Sequence, residues 1–292
     1  MKKFVTLLLA LTMMLALVAC GGNTAANDTA DKADSADNAS TSIVNDAASS
    51  TDDTAADADN DMAYITDKGN MIIGYTVYAP MNYTDENGEF VGFDTELAIK
   101  VCEELGVEPI FQEIDWGTKE IELAGKSIDC IWNGMTLDAE REANMNCTKP
   151  YVKNAQVVVV KAGTEYTDTS SLAGKTVCAE IGSAGESTIA DDANLSQAAY
   201  VGKAVQTDCL MEVKSNTCDA AVLDMTLAKA MIGEGTDYSD LVIVDELAVE
   251  NYGVAFRKGS DVRDAVNDIF DALVADGFMG ELADKYDLAL AE

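Results

Sequence analysis

From Met71 onward, short apolar runs alternate with longer stretches whose apolar residues recur every three to four positions. The runs at 71–76, 109–114, 127–132, 156–161, 175–180, 219–223, 241–244 and 252–256 are short, apolar and flanked by turn residues, which predicts strands. Between two of them, Phe93, Leu97, Val101 and Leu105 repeat with helical spacing, with Asp94 as candidate N-cap and Gly106 as candidate C-cap. Val262, Val266, Ile269, Phe270 and Leu273 repeat the pattern between Ser260 and Gly277. Strands alternating with helices over residues 62–292 predict an α/β protein with largely parallel sheets covered on both faces, in one sheet or two. The segment from Tyr83 to Phe90 has the Asp/Asn/Gly alternation of a calcium loop, but it lacks a bidentate Glu at the twelfth position. Asn87-Gly88 between aromatic flanks predicts a hairpin without a metal.

Composition narrows the chemistry. The 292 residues are 48% hydrophobic and 24% charged, enough apolar material for a sizeable core. A formal net charge of -33 repels phosphate backbones and excludes nucleic-acid binding. With no histidine in the chain, Ser-His-Asp and Cys-His catalysis and His-ligated zinc are unavailable, and no motif calls for a cofactor or metal. Beyond Cys20, the six cysteines have neither CxxC nor zinc spacing. Cys102, Cys130 and Cys178 fall in apolar patterns that predict free buried thiols, with Cys209 and Cys218 the pair to check for a disulfide.

The N-terminus has its own logic. Lys2 and Lys3 precede an apolar stretch from Phe4 to Val18, too short for an ordinary membrane span and consistent with an export signal over residues 1–20. Leu17-Val18-Ala19-Cys20 resembles a bacterial lipobox, which implies that Cys20 is lipidated (palmitate or a similar acyl chain) and anchors the mature protein to the membrane outside the cell. Residues 21–61 hold ten Asp, one Lys and no aromatic residue, and predict a disordered acidic tether.

Three loops at the ends of expected strands carry candidate binding chemistry, where open α/β sheets receive ligands. In the first, Gly134 permits close backbone approach, Thr136 offers a hydroxyl and Arg141 presents a planar fork suited to a carboxylate, although an exposed Arg paired with Glu140 or Glu142 gives the same pattern. In the second, Gly182-Ser183-Ala184 turns from a strand into a helix with free amides able to hold a small anion; the Lys of a phosphate loop is missing. In the third, Asp224 closes an apolar strand, as an ammonium acceptor, a helix cap or both. With Tyr78 and Trp116, these groups meet the needs of a zwitterionic amino acid.

The order of motifs over residues 62–292 resembles the extracellular solute-binding proteins of ABC importers for polar amino acids. The resemblance rests on Tyr78-Ala79-Pro80-Met81, Gly92-Phe93-Asp94, Ile114-Asp115-Trp116, the run from Ile128 to Thr136 with Glu140-Arg141, Lys149-Pro150-Tyr151, Leu172-Ala173-Gly174-Lys175, the segment from Asp219 to Asp224, and the run from Tyr252 to Gly259. It implies a two-lobed type II periplasmic-binding-protein fold with two hinge crossings, near 156–159 and 251–254. Lobe 1 would comprise 62–155 plus 253–292, and lobe 2 would comprise 156–252. It further implies that Arg141 grips the ligand carboxylate with Thr136 and an amide of the Gly182-Ser183-Ala184 turn. Asp224 and the Gly134 carbonyl would take the ammonium, and Tyr78 and Trp116 would sandwich the side chain. The expected partners are an amino acid, permease subunits and the membrane through the lipid anchor. The protein is expected to be a monomer on the extracytoplasmic face of a Gram-positive cell. Many relatives carry an acid where this chain has Tyr75, which argues against a basic amino acid and for a polar, neutral or sulfur-containing one such as cystine. Two rival readings remain. One is an enzyme of the same fold resembling cyclohexadienyl dehydratase, with Asp224, Glu180 or Glu186 as its acid. The other is a sensor module that presents ligand to a membrane receptor.

Overall fold

The computed structural model describes residues 60–292. The export signal, Cys20 and the tether as far as residue 59 lie outside the described residues. The described residues open with helix α1 (Asp61–Lys68), then β1 (Asn70–Tyr75), a hairpin of β2 (Tyr83–Thr84) and β3 (Phe90–Val91), and α2 (Phe93–Leu105). There follow β4 (Glu108–Glu113), α3 (Lys119–Ala124), β5 (Cys130–Thr136), α4 (Ala139–Asn144) and β6 (Asn146–Cys147). A long strand, β7 (Val152–Lys161), leads to β8 (Thr176–Glu180), α5 (Ala184–Asp191), β9 (Ala199–Lys203), α6 (Gln206–Lys214), β10 (Ala220–Asp224) and α7 (Met225–Met231). The 16-residue strand β11 (Leu241–Phe256) returns the chain to α8 (Val262–Ala275) and α9 (Phe278–Lys285).

Two parallel blocks result. β4, β1 and β5 pair in parallel in one, and β10, β8 and β9 in the other. The antiparallel strands β7 and β11 join them, giving the order β4-β1-β5-β11-β7-β10-β8-β9. β11 pairs with β7 from Leu241 to Tyr252 and with β5 from Tyr252 to Phe256, so Tyr252 marks where it changes partner. This is the two-lobed arrangement, with β7 and β11 as the crossing strands. Val157 to Val160 in β7 and all of β5 are buried, as two-sided coverage demands. Trp132, Tyr151, Phe93 and Phe270 pack a shared aromatic core with ring centroids 5.8–6.0 Å apart.

Several expectations need correction. The runs at 241–244 and 252–256 are one strand: bulges near Ile243/Asp245 and Glu246/Ala248 break the two-residue period, and half-exposed acids fill the bulged stretch. β5 runs on to Thr136, past the Asn133-Gly134 pair that reads as the start of a loop. Asp94 is not the cap of α2. Gly92 is, and Asp94 points inward, where it accepts from the Gly134 amide at 2.6 Å and the Tyr151 hydroxyl at 2.7 Å. Burial raises its pKa to about 7. Asp61 belongs to the folded body and not the tether: it is fully buried and pairs with Nε of Arg257 at 2.9 Å. The Asn87-Gly88 hairpin forms, with Asp85 accepting the Asn87 and Glu89 amides and Gly88 at φ +86°. All six described cysteines are free. Among the described residues no group of side chains could hold a metal, and no helix is long and apolar enough to cross a membrane.

Candidate functional site

The ends of β5, β8 and β10 converge. Trp116, Gly134, Thr136 and Arg141 from one lobe and Ser183, Ala184 and Asp224 from the other line one pocket, together with Asn133, Glu180 and Gln206. Its walls leave about 10 Å³, close to the space of one water molecule, so a larger guest enters only when the lobes part.

Arg141 sits in the first turn of α4, where Asp138 caps the helix through the Arg141 amide at 2.8 Å and pairs with Nη1 at 3.2 Å. Nη1 also donates to the Thr136 carbonyl at 3.0 Å, while Nη2 reaches across to the Gly182 carbonyl at 3.2 Å. With 6% of its surface exposed, the guanidinium is a buried cation whose ion-pair partner is Asp138 and not Glu140 or Glu142. Lys119 donates to the same Gly182 carbonyl at 2.9 Å and to the Trp116 carbonyl at 3.1 Å, with its ammonium 4.9 Å from the Trp116 ring centre. Burial, then the nearby Arg141 charge, lowers its pKa to about 8.

In the opposite lobe, Ser183 caps α5, accepting from the Glu186 amide at 3.2 Å, and Glu186 reaches back to the Gly182 amide at 2.6 Å. The Ser183 amide is used on the Glu180 carbonyl. The turn amides that remain to face an anion are therefore those of Ala184 and Gly185 at the positive end of the helix.

Asp224 occupies the cap position of α7 without capping it, because the Thr226 amide goes to Asn154 Oδ1 at 3.1 Å. Its carboxylate instead accepts from Asn154 at 2.7 Å, from Gln156 at 2.6 Å and from Gln206. Asn154 and Gln156 donate as well to Glu250 Oε1, at 2.7 and 2.9 Å, which also takes the Thr136 hydroxyl at 2.9 Å. Two carboxyl groups thus share two amides on the crossing strands. Burial and then the Asp224 charge raise Glu250 to about 8, and burial raises Asp224 as well.

Tyr78 does not join the pocket wall. It is 2% exposed, its ring lies against Gly134, and its hydroxyl bonds Thr226 and, at 2.5 Å, Tyr252. Gly134 is at φ +56°, and a Cβ there would stand 2.8 Å from Tyr78 Cε1, so this strand end requires glycine. The expectation of Tyr78 and Trp116 as a two-sided sandwich is replaced by Trp116 on the wall and Tyr78 bracing the floor behind Gly134. Tyr75 also lies elsewhere, packed against Phe90 and Phe111 at 4.8 and 6.3 Å. Sequence reasoning missed Glu250, Asn154, Gln156, Gln206 and Lys119. An acid two places before Tyr252 in an apolar strand was the only local signal, for Glu250.

Against known proteins, residues 71–289 match the family of bacterial extracellular solute-binding proteins, family 3. The chain is 25% identical over 293 residues to an arginine-binding extracellular protein of Bacillus subtilis, covering 98% of each. It is 26% identical to an L-cystine-binding protein of Escherichia coli K12, over 76% of this chain and 84% of that protein. Among solved structures, a mutant of ArgBP from T. maritima superposes with a TM-score of 0.72 at 31% identity, covering 77% of this chain and 98% of that one. An ancestral amino acid-binding protein described as a precursor of cyclohexadienyl dehydratase superposes with a TM-score of 0.69 at 26% identity, over 77% of this chain and 98% of that one.

Proposed function

The chain belongs to the bacterial extracellular solute-binding proteins, family 3, and on that premise we propose how this substrate-binding protein captures an amino acid for an ABC importer. Residues 62–155 with 253–292 act as lobe 1 and residues 156–252 as lobe 2. Arg141 takes the α-carboxylate, helped by Thr136 and by the Ala184 amide of the Gly182-Ser183-Ala184 turn, the Ser183 amide being held by the Glu180 carbonyl. Asp224 takes the α-ammonium with the Gly134 carbonyl, and Trp116 covers the side chain. The observation that carries this reading is the convergence of Arg141 from one lobe and Asp224 from the other on a single pocket. A ligand touching both lobes stabilises the closed form, which the permease then reads. We further propose that Cys20 is the lipidated anchor, that residues 21–60 are the tether, and that the protein works as a monomer on the extracytoplasmic face of a Gram-positive cell.

The protein acts as a binder and not an enzyme: Asp224 is tied by three side-chain amides, which suits a fixed ammonium acceptor better than a proton donor. The dehydratase reading draws support from the precursor-type neighbour and would show itself as consumption of a cyclic carboxylic acid. Delivery to a receptor instead of a permease would use the same cleft.

The test is calorimetric titration of Arg141→Ala and Asp224→Asn. Arg141→Ala removes two charge-assisted hydrogen bonds at about 1.5–3 kcal/mol each, a loss of more than about a hundredfold in affinity. Asp224→Asn should weaken the amino acid far more than its analogue lacking the α-ammonium. Wild-type affinity in Arg141→Ala, or equal losses for both ligands in Asp224→Asn, would remove these residues from the site.

A further inference from the structure

Among the pocket-lining side chains, Glu180 has no task in holding the α-carboxylate or the α-ammonium. It ends β8, is 3% exposed, and its Oε1 has no hydrogen-bond partner. Among the described residues it forms no ion pair. Lys119, whose positive charge acts on it, is committed to the Trp116 and Gly182 carbonyls. A buried carboxyl oxygen left unmatched costs folding free energy, and a site that keeps one reserves it for a donor brought by the guest. Burial and then the Asp224 charge push the Glu180 pKa well up, as expected of a carboxylate that lacks its counter-charge.

Charge matching gives the same answer. The pocket wall carries one guanidinium, Arg141, and two carboxyls, Asp224 and Glu180. The two charges of a zwitterion match Arg141 and Asp224 and leave Glu180 with only the charge of Lys119, whose ammonium makes its hydrogen bonds to the Trp116 and Gly182 carbonyls. A third, positive charge on the ligand side chain completes the set. An acidic side chain would meet like charge.

We infer that Glu180 is the specificity-determining residue of the cleft and that the ligand is an amino acid with a cationic side chain, laid along Trp116 with its terminal N–H groups on Oε1 of Glu180. This rests on the proposed capture of an amino acid by Arg141 and Asp224. It replaces the expectation of a neutral ligand drawn from Tyr75, whose ring is packed with Phe90 and Phe111 and is no part of the pocket wall. The side-chain acid comes from the second lobe instead of the end of β1.

The experiment is calorimetric titration of the protein and of Glu180→Gln with L-arginine, L-lysine, L-citrulline, L-glutamine and L-glutamate. L-Citrulline keeps the length and shape of L-arginine without its charge. The wild type should prefer the better cationic amino acid over L-citrulline and L-glutamine by about 10- to 100-fold, the worth of one charged hydrogen-bonding partner, and bind L-glutamate least. Glu180→Gln should bring that preference to near parity while L-citrulline binding changes by no more than about threefold and the melting temperature holds, which a merely structural role would not produce. L-Citrulline or L-glutamine binding the wild type as tightly as the cations would overturn this inference and leave amino-acid capture standing. A cation preference that survives in Glu180→Gln would overturn the role of Glu180. Failure of the wild type to bind any amino acid would overturn both.

Discussion

Glu250→Gln tests the reading of the shared acid pair. Glu250 is brought beside Asp224 by two amides that bond to both, and burial with that neighbouring charge raises its pKa from 4.5 to about 8. Between those values the folded protein holds a proton that the unfolded chain has released. Stability is therefore full below pH 4.5 and declines as the pH rises toward 8. At about 1.4 kcal/mol per unit, the shift amounts to about 3–5 kcal/mol across the window, or about 6–20 °C of melting temperature at about 2–4 °C per kcal/mol for a protein of this size. Gln keeps an acceptor for the Thr136, Asn154 and Gln156 donors and cannot ionise. Melting curves from pH 5 to pH 8.5 should show the wild type and the variant close together at pH 5, with the variant pulling ahead as pH rises. Asp94, raised to about 7, contributes its own decline to both proteins, so the difference between the curves reports the Glu250 and Asp224 pair. Parallel curves, separated by a constant offset at every pH, would refute the assignment of the proton to this pair.

Other substitutions probe the scaffold that positions the cleft. Gly134→Ala places a Cβ 2.8 Å from Tyr78 Cε1 on a backbone at φ +56°; overpacking with left-handed strain should cost about 2–4 kcal/mol, read as a lower urea midpoint. Arg257→Ala leaves Asp61 and Asp129 buried without their guanidinium and frees the Leu123 and Ile128 carbonyls. The expected loss is about 3–5 kcal/mol in thermal melts, and a change below about 1 kcal/mol would show that the network is dispensable.

Much of the frame was legible: β1, β4, β8 and β10 lie within about one residue of the expected runs, and in β8 and β10 burial on both faces is what leaves the apolar run unbroken. β11 was not legible as one strand, since its bulges put Asp245 and Glu246 where the alternation should continue. The proposed anion side of the cleft could be read locally, because Gly134 to Arg141 and Gly182 to Ala184 are each one short stretch of chain with its own chemistry. The acid side could not. Asp224 reads equally well as a helix cap, and what decides against capping is Asn154, 70 residues away, taking over the Thr226 amide and bonding Asp224 itself. Glu250 and Gln206 likewise meet Asp224 only through the pairing of β7 with β11 and β10 and the docking of α6, which no local pattern announces. Glu180 was visible as an acid, but that its Oε1 is buried and unmatched is a property of the assembled cleft.

The most direct measurement is a thermal-shift and calorimetric screen of the protein against the common L-amino acids, cystine and several cyclic carboxylic acids. One or a few L-amino acids at about 100 times Kd should stabilise the protein by about 2.7 kcal/mol and be recovered unchanged. No shift with any amino acid, or consumption of a cyclic acid, would contradict amino-acid capture between the lobes.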